Sequence, residues 1–216
     1  MVPALRALGV RQLNELVVSH ADLDHAGGAA SIVARLPVAR VLSGEPLASL
    51  RGISTTPCRA PLRWHSDGVD FEVLHPRPGE QHAPRNDSSC VLAVRGAYGR
   101  LLLSGDIGIK SEQALLERDH SALAAEVLSV PHHGSTSSSS PAFVRAVRPR
   151  IALIAAGRHN RYQLPKREVV ARYRALGAEV SNSGELGAVT VDVTRHGLRV
   201  EGYRASHWGW WQQRPP

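Results

Sequence analysis

The densest chemistry of this chain falls within six residues. His20-Ala21-Asp22-Leu23-Asp24-His25 offers four potential metal ligands, and Gly27-Gly28 follows at once. Four ligands this close cannot all reach one ion from a helix, where neighbouring side chains diverge around the axis. On a tight loop they divide between two ions, His20 and Asp22 facing one, Asp24 and His25 the other. A carboxylate at Asp106 would bridge such a pair. One of His132 and His133 would complete the ligand set, and the other would pass a proton to a leaving oxygen. Two cations about 3.5–4 Å apart stabilise both the attacking and the leaving oxygen of a phosphodiester displacement.

Each of these groups follows an apolar run, so strand ends must bring them to one edge of a sheet. Residues 13–19 read as a buried strand that leads into His20. An Ala-rich helix then runs to about Leu36, stopped by Pro37. Residues 38–42 form a second strand, 45–68 a loop with at most one short strand, and 69–74 another strand before His75-Pro76. Residues 89–94 and 100–103 flank Gly96-Ala97-Tyr98-Gly99 as a hairpin that delivers Ser104-Gly105-Asp106. A helix over 110–117 precedes a strand over 126–130, which delivers Pro131-His132-His133-Gly134-Ser135. Ser140 followed by Pro141 is an N-cap with proline at the first helical position, opening a helix to Val147. A strand over 151–155, a helix over 166–176 and a hairpin from 188–193 and 198–203 complete the reading. Helices and strands alternate through the middle, so the class is α/β with antiparallel sections, one domain over 1–216 with a tail at 204–216.

Composition narrows the class further. The 216 residues are 43% hydrophobic and 21% charged, enough for one sizeable core and too few charges for a disordered chain. No stretch approaches the roughly 18 apolar residues of a membrane span. The net charge of +7 is carried almost wholly by arginine, Lys110 and Lys166 being the only lysines. Guanidinium forks suit phosphate oxygens, which makes an anionic polymer a natural partner. Cys58 and Cys90 are expected to be buried, inert thiols, since a bridge between them needs an oxidising compartment. The tail with Trp208, Trp210 and Trp211 is expected to pack on the domain or be disordered rather than stack on bases or sit at a membrane interface, and His65, His75, His82, His120, His196 and His207 to serve surface or packing roles.

These segments carry a family resemblance. His20 to His25 followed by Gly27-Gly28 resembles the HxHxDH loop of the metallo-β-lactamase superfamily, with Asp22 at the second histidine. Asn86-Asp87-Ser88-Ser89-Cys90, Ser104-Gly105-Asp106-Ile107, Val130 to Ser135, Gly157 to Tyr162 and Gly187-Ala188 are similar to one branch, the C-terminal domain of ComEC DNA-uptake proteins. The chain departs from that pattern in three ways. Only nineteen residues precede the metal loop, Asn86 to Ser88 stand where the wider superfamily has a histidine, and Leu164 stands where relatives tend to have one.

The resemblance implies a metallo-β-lactamase-like αββα sandwich lacking its N-terminal strands. It also implies that the domain is the C-terminal part of a larger bacterial inner-membrane protein, on the periplasmic side. The expected activity is that of a metal-dependent nuclease that cuts DNA, single strand or duplex and without sequence preference, with a metal-activated hydroxide. Its metal ligands would be His20, Asp22, Asp24, His25, Asp106 and His132 or His133, holding two divalent ions. Asp22 adds an oxygen donor that suits Mn²⁺, while the imidazoles keep Zn²⁺ open. Asp24, Asp106, His132 and His133 would be catalytic; Asn86, Ser88, Ser135 and Asn160 would contact substrate. Partners would be DNA and the rest of the membrane channel. Two alternatives stand beside this reading, a catalytically weak DNA-binding or structural module of the channel and a small-molecule hydrolase of the same fold.

Overall fold

The computed structural model describes residues 1–80 and 85–206. It begins with α1 (Val2–Ala7), β1 (Leu13–Val18), α2 (Leu23–Ala26), α3 (Ala29–Val33) and β2 (Val38–Ser43). The strands β3 (Thr56–Pro57), β4 (Arg63–Ser66), β5 (Val69–His75), β6 (Val91–Gly96) and β7 (Gly99–Leu103) follow. Then come α4 (Ile109–Arg118), β8 (Val127–Ser129), α5 (Pro141–Val147), β9 (Ile151–Ile154), α6 (Arg167–Ala175) and β10 (Glu179–Asn182). The last elements are α7 (Ser183–Leu186), β11 (Val189–Thr194), β12 (Gly197–Gly202) and α8 (Tyr203–Ser206).

Two sheets form the middle layers. The smaller is parallel, in the order β1-β2-β3. The larger runs β10-β9-β8-β7-β6-β5-β4, parallel from β10 to β7 and antiparallel from β7 to β4. Period-two alternation decides which residue faces which layer. On β6, Val91 and Ala93 join the core beneath α4, α5 and α6, with Leu128, Phe143, Val169 and Tyr173. Leu92 points the other way, into a core between the sheets with Leu42, Val73, Cys58 and Cys90. On β1, Val18 packs under α2 and α3 with Ala26, Ala29 and Val41. Helices outside, two sheets inside: this is the expected αββα sandwich.

Several expectations need correction. The helix expected from Gly27-Gly28 to about Leu36 is present as α3 but ends at Val33, and a short helix not expected, α2, precedes the glycines inside the ligand loop. The segment 45–68 holds two short strands, β3 and β4, and β10 extends the large sheet where no strand was expected. Cys58 and Cys90 are not free thiols. They are joined by a disulfide with Cα atoms 5.8 Å apart, because pairing of Cys58 N with Ser43 O and of Cys90 N with Ser19 O brings the two loops together. His82, His207, Trp208, Trp210 and Trp211 lie outside the described residues. No described helix is long and apolar enough to cross a membrane.

Candidate metal centre

Strand ends deliver the site. β1 ends at Val18 and releases Ser19 and His20; β7 ends at Leu103 and releases Ser104, Gly105 and Asp106; β8 leads to His132 and His133. Backbone contacts lock these loops together. Gly44 N donates to Val18 O at 3.2 Å, and a Cβ at Gly44 would sit 2.2 Å from Ser19 O and 2.4 Å from Ser88 O, so only glycine fits. Gly105 has φ +55°, and a Cβ there would lie 2.8 Å from Ser89 Cβ. His132 N donates to Gly105 O at 3.2 Å. His132 and His133 both adopt left-handed backbone, φ 49° and 53°, a conformation costing about 1–2 kcal/mol per residue for non-glycine side chains. Strain of this kind persists only where the surrounding structure over-determines it, as the contacts to Gly105 and Ala155 do here.

Four ligand atoms converge here. Asp24, His25, Asp106 and His133 each offer one donor, all within 4.8 Å of one another. His25 Nε2 lies 3.2 Å from Asp106 Oδ1 and 3.4 Å from His133 Nε2. His133 Nε2 lies 3.1 Å from Asp24 Oδ2 and 3.4 Å from Asp106 Oδ2. His20 and Asp22 stand beside this group. His20 is fully buried, its Nε2 is 3.6 Å from Asp22 Oδ2, and among the described residues that nitrogen has no hydrogen-bond partner. A buried polar atom without a partner costs roughly 1–3 kcal/mol, which a cation at that position would remove. The residues fit divalent metal.

The far side of each imidazole is held, which aims the near side. Ser19 Oγ is 3.1 Å from His20 Nδ1 and 2.9 Å from His25 Nδ1, and Ser89 Oγ is 3.2 Å from His20 Nδ1. Ser89 Oγ also accepts from Asp106 N at 3.0 Å. His133 Nδ1 donates to Ala155 O at 2.7 Å. Such partners fix tautomer and ring orientation, so that Nε2 of each ring faces the cluster. Ser19 and Ser89 hold these rings and the sequence reading gave them no role. Ser19 had only its place next to His20 as a signal, and Ser89 only its place in the Asn86–Cys90 segment.

The structure separates the histidine pair. His133 joins the cluster, whereas His132 turns to Ser137 Oγ through Nδ1 at 2.9 Å and to Asn86 Nδ2 through Nε2 at 3.3 Å. Asn86 thereby lies beside His132. Ser88 is buried under Gly44, and Ser135 Oγ bonds Ser137 Oγ at 3.0 Å. Asn160 is turned to its own loop: it donates to Gly157 O and Leu164 O and accepts from Leu164 N. His159 is exposed outside the cluster, and Leu164 packs against the principal core.

Charge follows this geometry. Hydrogen bonding to Asp106 pushes the His133 imidazole up to about 9. Burial alone would raise the Asp106 carboxyl, yet the hydrogen bonds from His133 and His25 hold it well below the usual carboxylate range. Burial, with His25 adjacent, lowers His20. Without metal, His133 and Asp106 therefore favour their charged forms and pair as imidazolium and carboxylate.

An αββα sandwich with imidazole and carboxylate ligands at its strand ends is the architecture of metal-dependent hydrolases. The chain belongs to the metallo-beta-lactamase superfamily, whose family model matches residues 2–158. It is similar to competence protein ComA of Neisseria gonorrhoeae, 37% identical over 216 residues, all of this chain and 30% of that protein. Recombination protein 2 of Haemophilus influenzae is 32% identical over 212 residues, 98% of this chain and 26% of that protein. The chain thus spans under a third of the length of these relatives. In fold it matches a putative metal-dependent hydrolase from Parabacteroides distasonis, with a TM-score of 0.52 at 14% identity, over 80% of this chain and 77% of that one.

Proposed function

We propose that this chain is a metal-dependent phosphodiesterase domain that cuts DNA, working within a longer DNA-uptake protein of the bacterial inner membrane. The observation that carries the reading is the convergence of Asp24, His25, Asp106 and His133 next to the buried Nε2 of His20, which among the described residues has no hydrogen-bond partner. Asp24, His25 and His133 would hold one cation, His20 and Asp22 a second, and Asp106 would serve both. Divalent cations so held supply Lewis-acid stabilisation of phosphate oxygens and a water deprotonated at neutral pH. The mixed carboxylate and imidazole set suits Mn²⁺ or Zn²⁺. His132, held by Ser137 and Asn86, would donate a proton to the leaving oxygen. The similarity to competence proteins and the arginine charge support DNA as the substrate. The Cys58–Cys90 bridge supports a periplasmic position, since disulfides persist in oxidising compartments.

The test is direct. Protein purified without chelators should contain Mn or Zn, and His25→Ala should lose it. Metal-loaded wild type should hydrolyse labelled DNA and bis(p-nitrophenyl) phosphate, while Asp106→Ala should be inert yet bind DNA as before. Wild type inert on both substrates with either metal would replace the phosphodiesterase by a DNA-binding module.

A further inference from the structure

Beside the metal cluster lies a cleft of about 940 Å³ that the metal ligands do not use. Helix α6 forms one wall. Its buried face, Val169 and Tyr173, enters the core, whereas Arg167, Val170, Ala171 and Arg174 recur at helical spacing and line the cleft. The opposite wall is the 157–165 loop, which contributes Arg158 and Pro165. That wall is pre-shaped, because Asn160 ties the loop to itself through three hydrogen bonds of 2.7–3.0 Å. It is also continuous with the metal site. Ala155, which orients His133, lies two residues before Gly157, and a Cβ at Gly134 would sit 2.7 Å from Pro165 Cβ.

The charges in the cleft are unbalanced. Among the described residues, no hydrogen bond or ion pair engages the guanidinium groups of Arg158, Arg167 or Arg174, and His159 adds a fourth basic side chain. Glu185 is the one carboxylate in the lining. Arg167 and Arg174 are about 10 Å apart along the helix axis, so guanidinium groups that reach straight out from the helix meet different phosphates of an extended strand. Between them lies the apolar floor of Val170 and Ala171. Cations spaced along an apolar trough fit a chain with repeating phosphates and less polar units between them.

We propose that this cleft holds the phosphodiester backbone of a single polynucleotide strand beside the metal cluster, with Arg158, Arg167 and Arg174 each taking a different phosphate. The inference rests on the phosphodiesterase reading for the strand's destination. Its test, however, reads binding alone. A fluorescein-labelled single-stranded oligonucleotide is titrated with the 216-residue chain in EDTA, across a range of NaCl concentrations. Arg158→Ala/Arg167→Ala/Arg174→Ala should weaken binding at least tenfold at low salt. The slope of log affinity against log salt should fall by about 2, roughly 0.7 for each phosphate no longer gripped. The charge-matched control is Arg95→Ala/Arg148→Ala/Arg150→Ala, at the opposite ends of the strands, which should change affinity less than about threefold. Thermal melting checks that both triples fold.

Equal losses in the two triples would mean that only net charge matters and would overturn the cleft; so would wild-type affinity in the first triple. Polyglutamate of matched charge, bound as tightly as the oligonucleotide and losing as much in the first triple, would overturn the polynucleotide assignment. Because the binding assay contains no metal, its outcome is independent of hydrolysis: a wild type that binds through the cleft but hydrolyses nothing when separately loaded with Mn²⁺ or Zn²⁺ sinks the phosphodiesterase reading and leaves the cleft standing.

Discussion

At the scale of single residues, His133 joins backbone strain, a carbonyl clamp and the ligand cluster in one side chain. A proton must leave it before Nε2 can take a cation, so metal affinity should rise with pH up to about 9 and metal uptake should release protons. Isothermal titration with Mn²⁺ in buffers of different ionisation enthalpy reads that proton directly; affinity flat between pH 6 and 9 would refute it. His133→Ala should also lose bound metal, whereas His132→Ala should keep it and lose about 10²–10⁴ in rate. His75 gives a second, independent pH effect. It is buried, its Nε2 donates to Asp87 O at 2.7 Å, and burial lowers it below its ordinary 6.5. The unfolded chain therefore takes up this proton first as pH falls, so stability is full above about 6.5 and declines below it. His75→Gln should flatten urea-derived stability between pH 7 and 5 relative to wild type. The ligand types at 20–25 were legible because they are local. The choice between His132 and His133 was not, since it depends on a left-handed turn and on Ala155, 22 residues further along.

Among the elements, the strands that carry the site were legible and the close approaches between them were not. β1, β2, β5, β6 and β7 announce themselves by apolar runs and turn residues, and Ser140 caps α5 through Phe143 N as its sequence implies. β10 was hidden, because Glu179 to Asn182 alternates weakly and becomes a strand only by pairing with β9. The buried Glu112, which accepts from Ser139 N and Ser140 N ahead of α5, left no local signal either. Gly105 shows why such packing matters at the site. Replacing it by Ala drives a Cβ into Ser89, the residue that ties His20 to Asp106, in a backbone conformation that already disfavours a side chain. Gly105→Ala should destabilise the fold by more than about 2 kcal/mol and abolish metal binding. Gly9 also has positive φ but nothing within 4 Å of a modest side chain, so Gly9→Ala should cost about 1 kcal/mol and leave metal content intact. Equal metal content in the two variants would show that the approach of β7 to Ser89 does not set the site.

Across the whole molecule, the metal cluster and the disulfide both link the same two halves. His20 to His25 hang from the small sheet, whereas Asp106 and His133 hang from the large one. Between the sheets, Cys58 and Cys90 sit buried with Leu42, Val73 and Leu92, and their bond closes a loop with a sequence separation of 32. Closing a loop of that length removes unfolded-state entropy equivalent to about 3–4 kcal/mol. Cys58→Ala/Cys90→Ala should lose about that much in denaturant unfolding, and the buried position makes substitution a cleaner test than reductant. Bound metal stabilises by an amount set by its affinity for the folded state. That affinity requires the two sheets to keep their ligands in register, which the bridge and the core around it enforce. The increment in stability from saturating Mn²⁺ should therefore be smaller in the double variant than in wild type, measured as a difference between midpoints with and without metal. An unchanged increment would mean that the inter-sheet core holds the ligand halves in place unaided, and that the bridge stabilises the chain without shaping its site.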